Sequence, residues 1–309
     1  MAIPMHRPQA DLNTYDKTFG LPASTITTIY PQGKPKSIDQ GWALETDLDV
    51  QMVHAIAPKA TIILEAAKSP SNANLFAAVK DAYTKRGATI ISMSFGGGES
   101  AAETGAQADG IFAAGSAKGV SFTASSGDSG TGAQYPAASP YVTSVGGTTL
   151  NVRPNGAYVS ETAWNGSGGG LSAYENVPAY QAGFNKSSKR GIPDVSMVAD
   201  PATSVSVYDS FGYKGQKGFV VLGGTSVASP MFAGVLALVK QSRTKALKNI
   251  DTELYATAKT YYTTDFHDIA SGSNGTCGAI CTAHAGYDYV TGLGSPVANK
   301  LVPALIAAA

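Results

Sequence analysis

The chain of 309 residues carries 22 basic and 22 acidic residues, so its formal net charge is zero, and only 14% of it is charged. This balance provides no basic surface for nucleic acid or anionic lipid, and no apolar run reaches the roughly 18 residues of a membrane span. We therefore expect neither a nucleic-acid nor a membrane partner. The first residues also lack the apolar core of a signal peptide, as expected for a protein made inside the cell or already trimmed.

The first forty residues are rich in turn-forming glycine and proline. One short strand is predicted there, at Ile26–Tyr30. Ala2 and Ile3 resemble the tail of a strand that begins before this chain does. On this interpretation we expect the first strand of the fold to be truncated.

A helix is predicted over 42–57, and it carries a distinctive pair of acids. At about 100° per residue, Glu45 and Asp49 share one face, whereas Asp47 and His54 point to the far side. Two carboxylates one turn apart repel each other. They form either a solvated acidic patch or, where the face lines a cleft, a pair in which one is a general base and the other holds the shared proton.

The segments that follow alternate between strands and helices. Such alternation predicts an α/β fold with a mostly parallel, twisted sheet and helices on both faces. In such sheets the functional site lies beyond the carboxyl ends of the strands. The predicted strands are 61–66, 89–94, 120–125, 141–145, 148–152 and 204–208, and the predicted helices are 72–86, 101–117 and 249–259.

Two glycine-rich loops, 95–98 and 127–130, directly follow predicted strands. Both loops are therefore expected at the carboxyl edge of the sheet. Asp128 lies in the second loop and is a candidate functional residue at that edge. The alternative is that Gly-Asp-Ser-Gly is ordinary chemistry for a tight turn.

The stretch 223–230 has the pattern of a glycine turn between a strand and a helix. The apolar run 218–222 before it is predicted to be a short buried strand. Ser226 falls where the helix begins, and free N–H groups and the positive end of the helix dipole gather there. A hydroxyl at that point can attack a carbonyl while its own N–H helps to hold the oxyanion. Alternatively, Thr225 or Ser226 only caps the helix.

The C-terminal loop contains acidic residues and both cysteines of the sequence. Asp268 and Asp288 bracket it, and two carboxylates with backbone carbonyls suit calcium, which takes about six to eight oxygen ligands. The alternative to a calcium site is that Asp268 and Asp288 belong to two unrelated turns. Cys277 and Cys281 are predicted to form a tight disulfide, which favours an oxidising compartment, with two free thiols as the alternative.

Together, these motifs resemble the sedolisin family, the serine-carboxyl peptidases with a subtilisin-like fold. No single motif is specific, but their ordered set is, and it runs along almost the whole chain. The motifs are Glu45-Thr46-Asp47-Leu48-Asp49, Ser92–Gly96, Ser125–Gly130, Tyr135–Thr148, Gly224-Thr225-Ser226, Asp268-Ile269 and Gly286-Tyr287-Asp288.

The resemblance implies a role for each of four catalytic residues. Ser226 would be the nucleophile, and Glu45 would be the general base that takes its proton. Asp49 would orient Glu45 and share that proton. Asp128 would be a protonated acid that donates to the oxyanion beside the Ser226 N–H. Such a set suits acid conditions, because the reference pKa of a carboxyl group is near 4.

The resemblance also implies two binding sites. Ser94, Phe95 and Gly96 would bind the substrate main chain as an added strand. One structural calcium ion would be bound in a loop region at 265–296. Its ligands would be the carboxylates of Asp268 and Asp288 and the carbonyls of Ile269, His284 and Gly286.

Residues 1–309 are expected to form a single catalytic domain, a secreted monomer that acts on peptides or unfolded proteins. The resemblance implies a large N-terminal pro-segment that assists folding in the family, and these 309 residues are expected to be the catalytic domain without it. Phe95 and His284 replace the tryptophan and the glycine that are common there. The rival hypotheses are a neutral subtilisin-type peptidase, which needs a histidine beside the nucleophile, and a non-catalytic peptide-binding protein on the same scaffold.

Overall fold

The computed structural model describes residues 6–243, 246 and 249–308. Ala2 and Ile3, interpreted above as the tail of a strand, lie outside the described residues. The α-helices of the described part are Pro8–Phe19 (α1), Gln40–Ile56 (α2), Asn72–Lys85 (α3), Asp109–Ala117 (α4), Thr225–Gln241 (α5), Ile250–Asp265 (α6) and Ala298–Ala307 (α7). The strands are Ile26–Ile29 (β1), Ile62–Glu65 (β2), Ile90–Met93 (β3), Gly97–Gly98 (β4), Ser121–Ser125 (β5), Gln134–Tyr135 (β6), Thr143–Val152 (β7), Tyr158–Ala163 (β8), Gly170–Asn176 (β9), Lys189–Ile192 (β10), Val195–Val198 (β11), Val205–Tyr213 (β12), Gln216–Leu222 (β13), Phe266–His267 (β14) and Ser295–Pro296 (β15).

The central sheet has the strand order β11-β7-β5-β3, and all neighbours along this path are parallel. β8 adds an antiparallel edge to β7. β1 and β2 form a separate parallel pair. The prediction of a mostly parallel α/β sheet is therefore confirmed.

Helices cover both faces of this sheet, as a strand's alternating side chains require. On β5, the hydroxyl of Thr123 contacts Ser229 of α5, at an Oγ–Oγ1 distance of 3.1 Å. Its neighbours Phe122 and Ala124 pack in the opposite direction, in a cluster with Phe112 of α4. The helix that carries the proposed nucleophile is thus packed against the middle of the sheet.

The predicted helix 101–117 and the predicted buried strand 218–222 differ from the observed elements. The predicted helix 101–117 is helical only from Asp109, because Gly105 weakens a helix and 101–108 forms turns instead. The predicted buried strand 218–222 belongs to β13, which pairs only with β12 among the described strands, in an exposed hairpin. Val221 is 65% exposed there, so its apolar character does not reflect burial.

The two segments 141–145 and 148–152, predicted as separate strands, form the single strand β7. Gly146 and Gly147 suggest a turn in the sequence, but here they allow close packing. A Cβ on Gly146 would lie 2.6 Å from the Pro193 side chain, and one on Gly147 would lie 2.8 Å from Trp164. The glycines therefore continue the strand because neighbouring groups fill the space of their missing side chains.

A buried ion pair joins the strands to the C-terminal helices. Arg190 and Asp194 are both fully buried, and the guanidinium donates to both carboxylate oxygens at 2.8 and 2.5 Å. The Tyr255 hydroxyl of α6 donates to the same carboxylate at 2.8 Å. This network satisfies charges whose burial would otherwise be costly.

Cys277 and Cys281 form a disulfide, as predicted from their isolation in one loop. Among the described residues, no helix has both the length and the apolar character needed to cross a bilayer.

Candidate active site

Ser226 is the second residue of α5, directly after the strand-to-helix turn. Gly224 immediately precedes the helix with φ +113°. A Cβ on Gly224 would lie 2.7 Å from Oδ2 of Asp128, so glycine is needed for this close approach. The turn therefore places the start of the helix against the 127–130 loop.

Asp128 caps the helix that carries Ser226. Its Oδ1 atom accepts hydrogen bonds from the backbone N–H of Thr225 at 2.7 Å and from the Thr225 hydroxyl at 2.8 Å. The N-cap residue of α5 is Gly224, which has no side chain to accept a hydrogen bond from the helix start. Asp128 therefore caps the helix, so Thr225 and Ser226 do not act as caps. The Ser226 hydroxyl is not engaged in capping. The second oxygen of Asp128 stays next to Gly224.

Ser94 joins the acidic face of α2 to the sheet. Its hydroxyl donates to Oδ1 of Asp49 at 2.5 Å and lies 3.3 Å from the carbonyl oxygen of Ser226. One side chain at the end of β3 thus contacts both α2 and α5. Sequence reasoning placed Ser94 among the substrate-binding residues and missed this contact, because it depends on the packing of β3 beside α2.

Glu45 and Asp49 hold their protons unusually well. Burial raises the pKa of Glu45 to about 7, and the negative charge of Asp128 adds to the rise. Contacts with the hydroxyls of Ser226 and Ser94 oppose it. Burial and the neighbouring charge of Glu45 raise the pKa of Asp49 well above its ordinary value. The structure thus brings Glu45, Asp49, Asp128 and Ser226 to one place, and the solvated acidic patch is excluded.

The arrangement has the parts that an activated hydroxyl requires. Oε1 of Glu45 is buried and has no hydrogen-bond partner among the described residues, so it is an available proton acceptor. The first N–H groups of α5 supply donors at the same point. A second carboxyl group, Asp128, lies on the other side of the turn.

The four histidines have their contacts elsewhere. His54 is fully buried and lies 2.9 Å from the Pro22 carbonyl and 3.1 Å from the Asp16 carboxylate. His6 contacts Asp47, His267 stacks on Tyr158, and the ring of His284 contacts its neighbouring carbonyl. None of these contacts involves Ser226, so the neutral Ser-His-Asp alternative lacks its base among the described contacts.

The predicted substrate-binding segment continues from β3. Phe95 is half-buried and packs against an apolar cluster, while Gly96 is exposed. The next residues, Gly97–Gly98, form β4, which pairs with β6 along one edge. This places an exposed, side-chain-free segment of main chain next to Ser94.

The predicted calcium ligands come together in one loop. Both carboxylate oxygens of Asp268 accept from the N–H of Gly286, at 3.1 and 3.0 Å. The N–H of His284 donates to Asp288 at 2.9 Å. Asp288 is buried, which raises the pKa of its carboxyl group, and it also accepts from the N–H groups of Val290 and Thr291.

This donor set suits a hard cation. The 284–286 segment lies between the two carboxylates, because the N–H of Gly286 contacts Asp268 and the N–H of His284 contacts Asp288. Burial raises the pKa of Tyr262, and the charges of Asp268 and Asp288 add to the rise, so both carboxylates share the surroundings of this ring. Carboxylates combined with backbone carbonyls are typical calcium ligands.

The fold and the site define the class of protein. The sequence matches the Subtilase family over residues 23–273, and the chain belongs to that family. Within it, similarity to sedolisin and kumamolisin places the chain in the sedolisin group, the serine-carboxyl peptidases. It is similar to the solved structure of Pseudomonas sedolisin, a serine-carboxyl proteinase in complex with pseudo-iodotyrostatin, with 32% identity and a TM-score of 0.82. That match covers 96% of this chain and 88% of the solved one.

Two curated relatives support the same assignment. Kumamolisin from Bacillus sp. (strain MN-32) is 33% identical over 97% of this chain, and tripeptidyl-peptidase 1 from Dictyostelium discoideum is 28% identical over 95%. The match covers 58% and 52% of these two relatives. The chain therefore spans little more than half of their length.

Proposed function

We propose that this chain is an acid-acting serine endopeptidase that cleaves peptides and unfolded proteins. The single observation that carries the proposal is the convergence of Glu45, Asp49 and Ser226 around the Ser94 hydroxyl, with Asp128 at the same helix start. We further propose that residues 1–309 act as one monomeric catalytic domain. The disulfide in the 277–281 loop supports secretion, because disulfides persist in oxidising compartments.

In the proposed reaction, Ser226 Oγ bonds to the scissile carbonyl carbon as its proton passes to Glu45. Asp49 holds Glu45 in place and keeps its own proton. The electron pair of the carbonyl moves onto oxygen, where the Ser226 N–H and a protonated Asp128 would donate to it. Glu45 then returns the proton to the leaving amine as the C–N bond breaks. Water, deprotonated by Glu45, hydrolyses the acyl-enzyme in the same way.

The proton count sets the expected pH dependence. The reaction needs one carboxylate, Glu45, and one neutral acid, Asp128, so Glu45 and Asp128 together hold one proton. When Asp128 is neutral, it no longer raises the pKa of Glu45, so the reactive arrangement is self-consistent. This one proton leaves near the raised pKa of Glu45, about 7. A second proton, which leaves no carboxylate to act as the base, binds to the pair at lower pH, on the order of the ordinary carboxyl value of about 4.

We therefore expect a bell-shaped profile of kcat/KM between about pH 4 and pH 7, with little activity above pH 8. Hydrolysis of an unfolded protein and of a fluorogenic peptide, measured across this range with calcium present, tests this. A profile that instead rises through pH 6.5 and stays high to pH 9 would indicate a histidine base and exclude the roles given to Glu45 and Asp128. Peptide binding without turnover, by a chain shown to be folded, would indicate a non-catalytic binding protein.

The position of the cleavage distinguishes endopeptidase from tripeptidyl-peptidase action. The endopeptidase proposal predicts internal fragments from a long substrate with a blocked N-terminus. Release of tripeptides only, and only from free N-termini, would contradict it. Mass spectrometry of early products distinguishes the two results.

We also propose that Asp268 and Asp288, with the carbonyls of Ile269, His284 and Gly286, bind one structural calcium ion. The shared loop and the all-oxygen donor set support this. The ion would supply positive charge that holds the two carboxylates and the 284–286 segment together.

Calcium at about 100 times its dissociation constant is expected to raise Tm by about 5–10 °C, because it binds only the folded loop. Asp268→Asn is expected to remove most of this shift while leaving Tm without calcium within about 2 °C, since Asp268 is exposed. Magnesium at the same concentration is the control ion, because it prefers smaller octahedral sites. A calcium shift that persists in Asp268→Asn would place the ion elsewhere.

A further inference from the structure

The loop that carries Asp128 is held along its length by a second glycine-rich loop. We define the Asp128 loop as residues 127–132 and the bracing loop as residues 166–169. Three main-chain hydrogen bonds join them, from Gly168 N–H to the Gly127 carbonyl at 2.7 Å, from Gly130 N–H to the Gly166 carbonyl at 2.9 Å and from Gly132 N–H to the Gly169 carbonyl at 2.7 Å. The position of Asp128 therefore depends on the bracing loop.

Asn274 contacts both of these loops and is only 3% exposed. Its main-chain carbonyl accepts from the N–H of Thr131, three residues after Asp128, at 2.8 Å. Its side-chain Nδ2 donates to the carbonyl of Ser167, within the bracing loop, at 2.9 Å. A Cβ on Gly130 would lie 2.6 Å from the Asn274 carbonyl oxygen, so the main chains approach too closely for a side chain there. One buried residue thus ties the Asp128 loop to the bracing loop.

The disulfide loop holds Asn274 in turn. The Asn274 N–H donates to the carbonyl of Cys281 at 3.0 Å, and Cys281 is bonded to Cys277. The Thr131 hydroxyl lies 3.5 Å from the Sγ atom of Cys277. A Cβ on Gly275 would lie 2.9 Å from Cγ2 of Thr131 and 3.1 Å from Sγ of Cys281. Thr131 therefore packs against this loop without spare room.

A displacement of the Asp128 loop would reach the start of α5. Oδ1 of Asp128 accepts from the Thr225 N–H at 2.7 Å, and the Gly127 N–H donates to the Thr225 hydroxyl oxygen at 3.1 Å. Oxyanion donors act only at about 2.7–3.1 Å from the atom that gains charge. A misplacement of about 1 Å in a catalytic group can cost about 100-fold in rate. The contacts of Asn274 are therefore placed where they can affect the rate.

We propose that Asn274 is a positioning residue that holds Asp128 in place for its donation to the oxyanion. Its effect on the reaction rate rests on the proposed peptidase function. Its effect on the Asp128 loop does not, because that effect can be measured without substrate. Asn274 thus connects the disulfide loop to the candidate active site through two hydrogen bonds.

Asn274→Ala removes the Nδ2 donor and keeps the main-chain carbonyl. We expect kcat to fall by about 10- to 100-fold, with KM within about 3-fold of the wild type. The alkaline limb of the pH profile should also move. The charge of Asp128 adds to the raised pKa of Glu45, and a loosened Asp128 would add less. The limb near pH 7 should therefore shift to lower pH by on the order of 0.5 unit, which a purely structural role would not cause.

Asn185→Ala is the matched control. Asn185 is also buried, and its Nδ2 likewise donates to a main-chain carbonyl, that of Lys189, at 2.8 Å. It should lower stability while leaving the alkaline limb unchanged and kcat within about 3-fold. Gly275→Ala is a second variant, because its added methyl would press Thr131 away from Asn274. It should reproduce the effects of Asn274→Ala, and Thr131→Ala, which removes the nearest obstructing atom, should partly reverse them.

Amide hydrogen exchange supplies the measurement without substrate. Exchange of the Thr131 and Thr225 N–H groups should become about 10-fold faster or more in Asn274→Ala and in Gly275→Ala, with residues 121–125 of β5 as the unchanged reference. Thr225 is the informative probe, because its N–H donates to Asp128 and makes no contact with Asn274. Asn185→Ala should leave both amides as they are in the wild type.

Three results would overturn the proposal. Unchanged exchange at Thr225 in both variants would show that Asn274 does not hold Asp128. Faster exchange in an active enzyme whose kcat and alkaline limb are unchanged would reduce Asn274 to a structural residue. Equal effects in Asn185→Ala would indicate general destabilisation. A folded wild type without turnover at any pH would instead contradict the proposed function, and Thr225 exchange would then decide by itself whether Asn274 positions Asp128.

Discussion

Replacement of Ser226 by alanine is expected to lower kcat on the order of 10⁵- to 10⁶-fold at the optimal pH, with little change in KM. The reason is that the substitution removes the only atom proposed to bond to the substrate. The helix start itself is capped by Asp128 through Thr225 and not by Ser226, so the turn should keep its shape. Residual hydrolysis would come from binding and from the oxyanion donors alone. Single-turnover assays on a fluorogenic peptide measure the loss.

Ser229→Ala is the matched control, because it removes a hydroxyl one turn further along the same helix. The Ser229 hydroxyl is buried against Thr123 and Ser92, and its loss is expected to cost about 1 kcal/mol of stability. Activity at the optimal pH should change by less than about 3-fold, because Ser229 contacts the sheet and not the site. Substantial turnover by a folded Ser226→Ala protein would show that another residue is the nucleophile.

Glu45→Gln is expected to lower kcat by about 10²- to 10⁴-fold, the contribution of a positioned general base. The amide keeps the size of the side chain but cannot take the proton from Ser226. The pH profile should also change. In the wild type, activity falls below about pH 4 because a second proton then leaves no carboxylate to act as the base. In the variant that acid limb should disappear, since the titrating carboxylate is gone, and the remaining activity should be flat in acid.

Asp47→Asn provides the control on the same helix. Burial likewise raises the pKa of Asp47 to about 7, despite its contact with His6. At pH 5 this carboxyl group is mostly protonated, so a neutral amide is a small change. We expect activity to stay within about 3-fold of the wild type and the acid limb to remain. A Glu45→Gln protein that keeps more than a tenth of the wild-type activity would contradict the role of Glu45 as the base.

The predictions for Ser226→Ala and Glu45→Gln both depend on the electrostatic properties of the site, and these properties arise from burial. The carboxyl groups of Glu45 and Asp49 meet the Ser226 hydroxyl where α2, β3 and α5 converge, and burial there favours the protonated form of both acids. The site therefore holds shared protons in mildly acidic solution, where a carboxylate base can work and a histidine would be charged. The buried carboxyl groups make the arrangement costly for stability, as expected for a functional site.

The sequence by itself determined the alternation of strands and helices, because apolar periodicity and glycine turns are local properties. It also determined that Glu45 and Asp49 share one helix face, which follows from the helical repeat alone. The order of short motifs identified the family that the comparisons confirm. The disulfide was also predictable, because the sequence contains only two cysteines and both lie in one loop.

Only the tertiary structure decided which of these features meet. The Ser94 contact with Asp49 joins residues 45 positions apart, and the Asp128 cap of α5 joins residues 97 positions apart. No local pattern encodes such distances, since they depend on how the sheet and helices pack. Similarly, the apolar run 218–222 does not reveal that it forms an exposed hairpin, because exposure depends on which elements lie next to it.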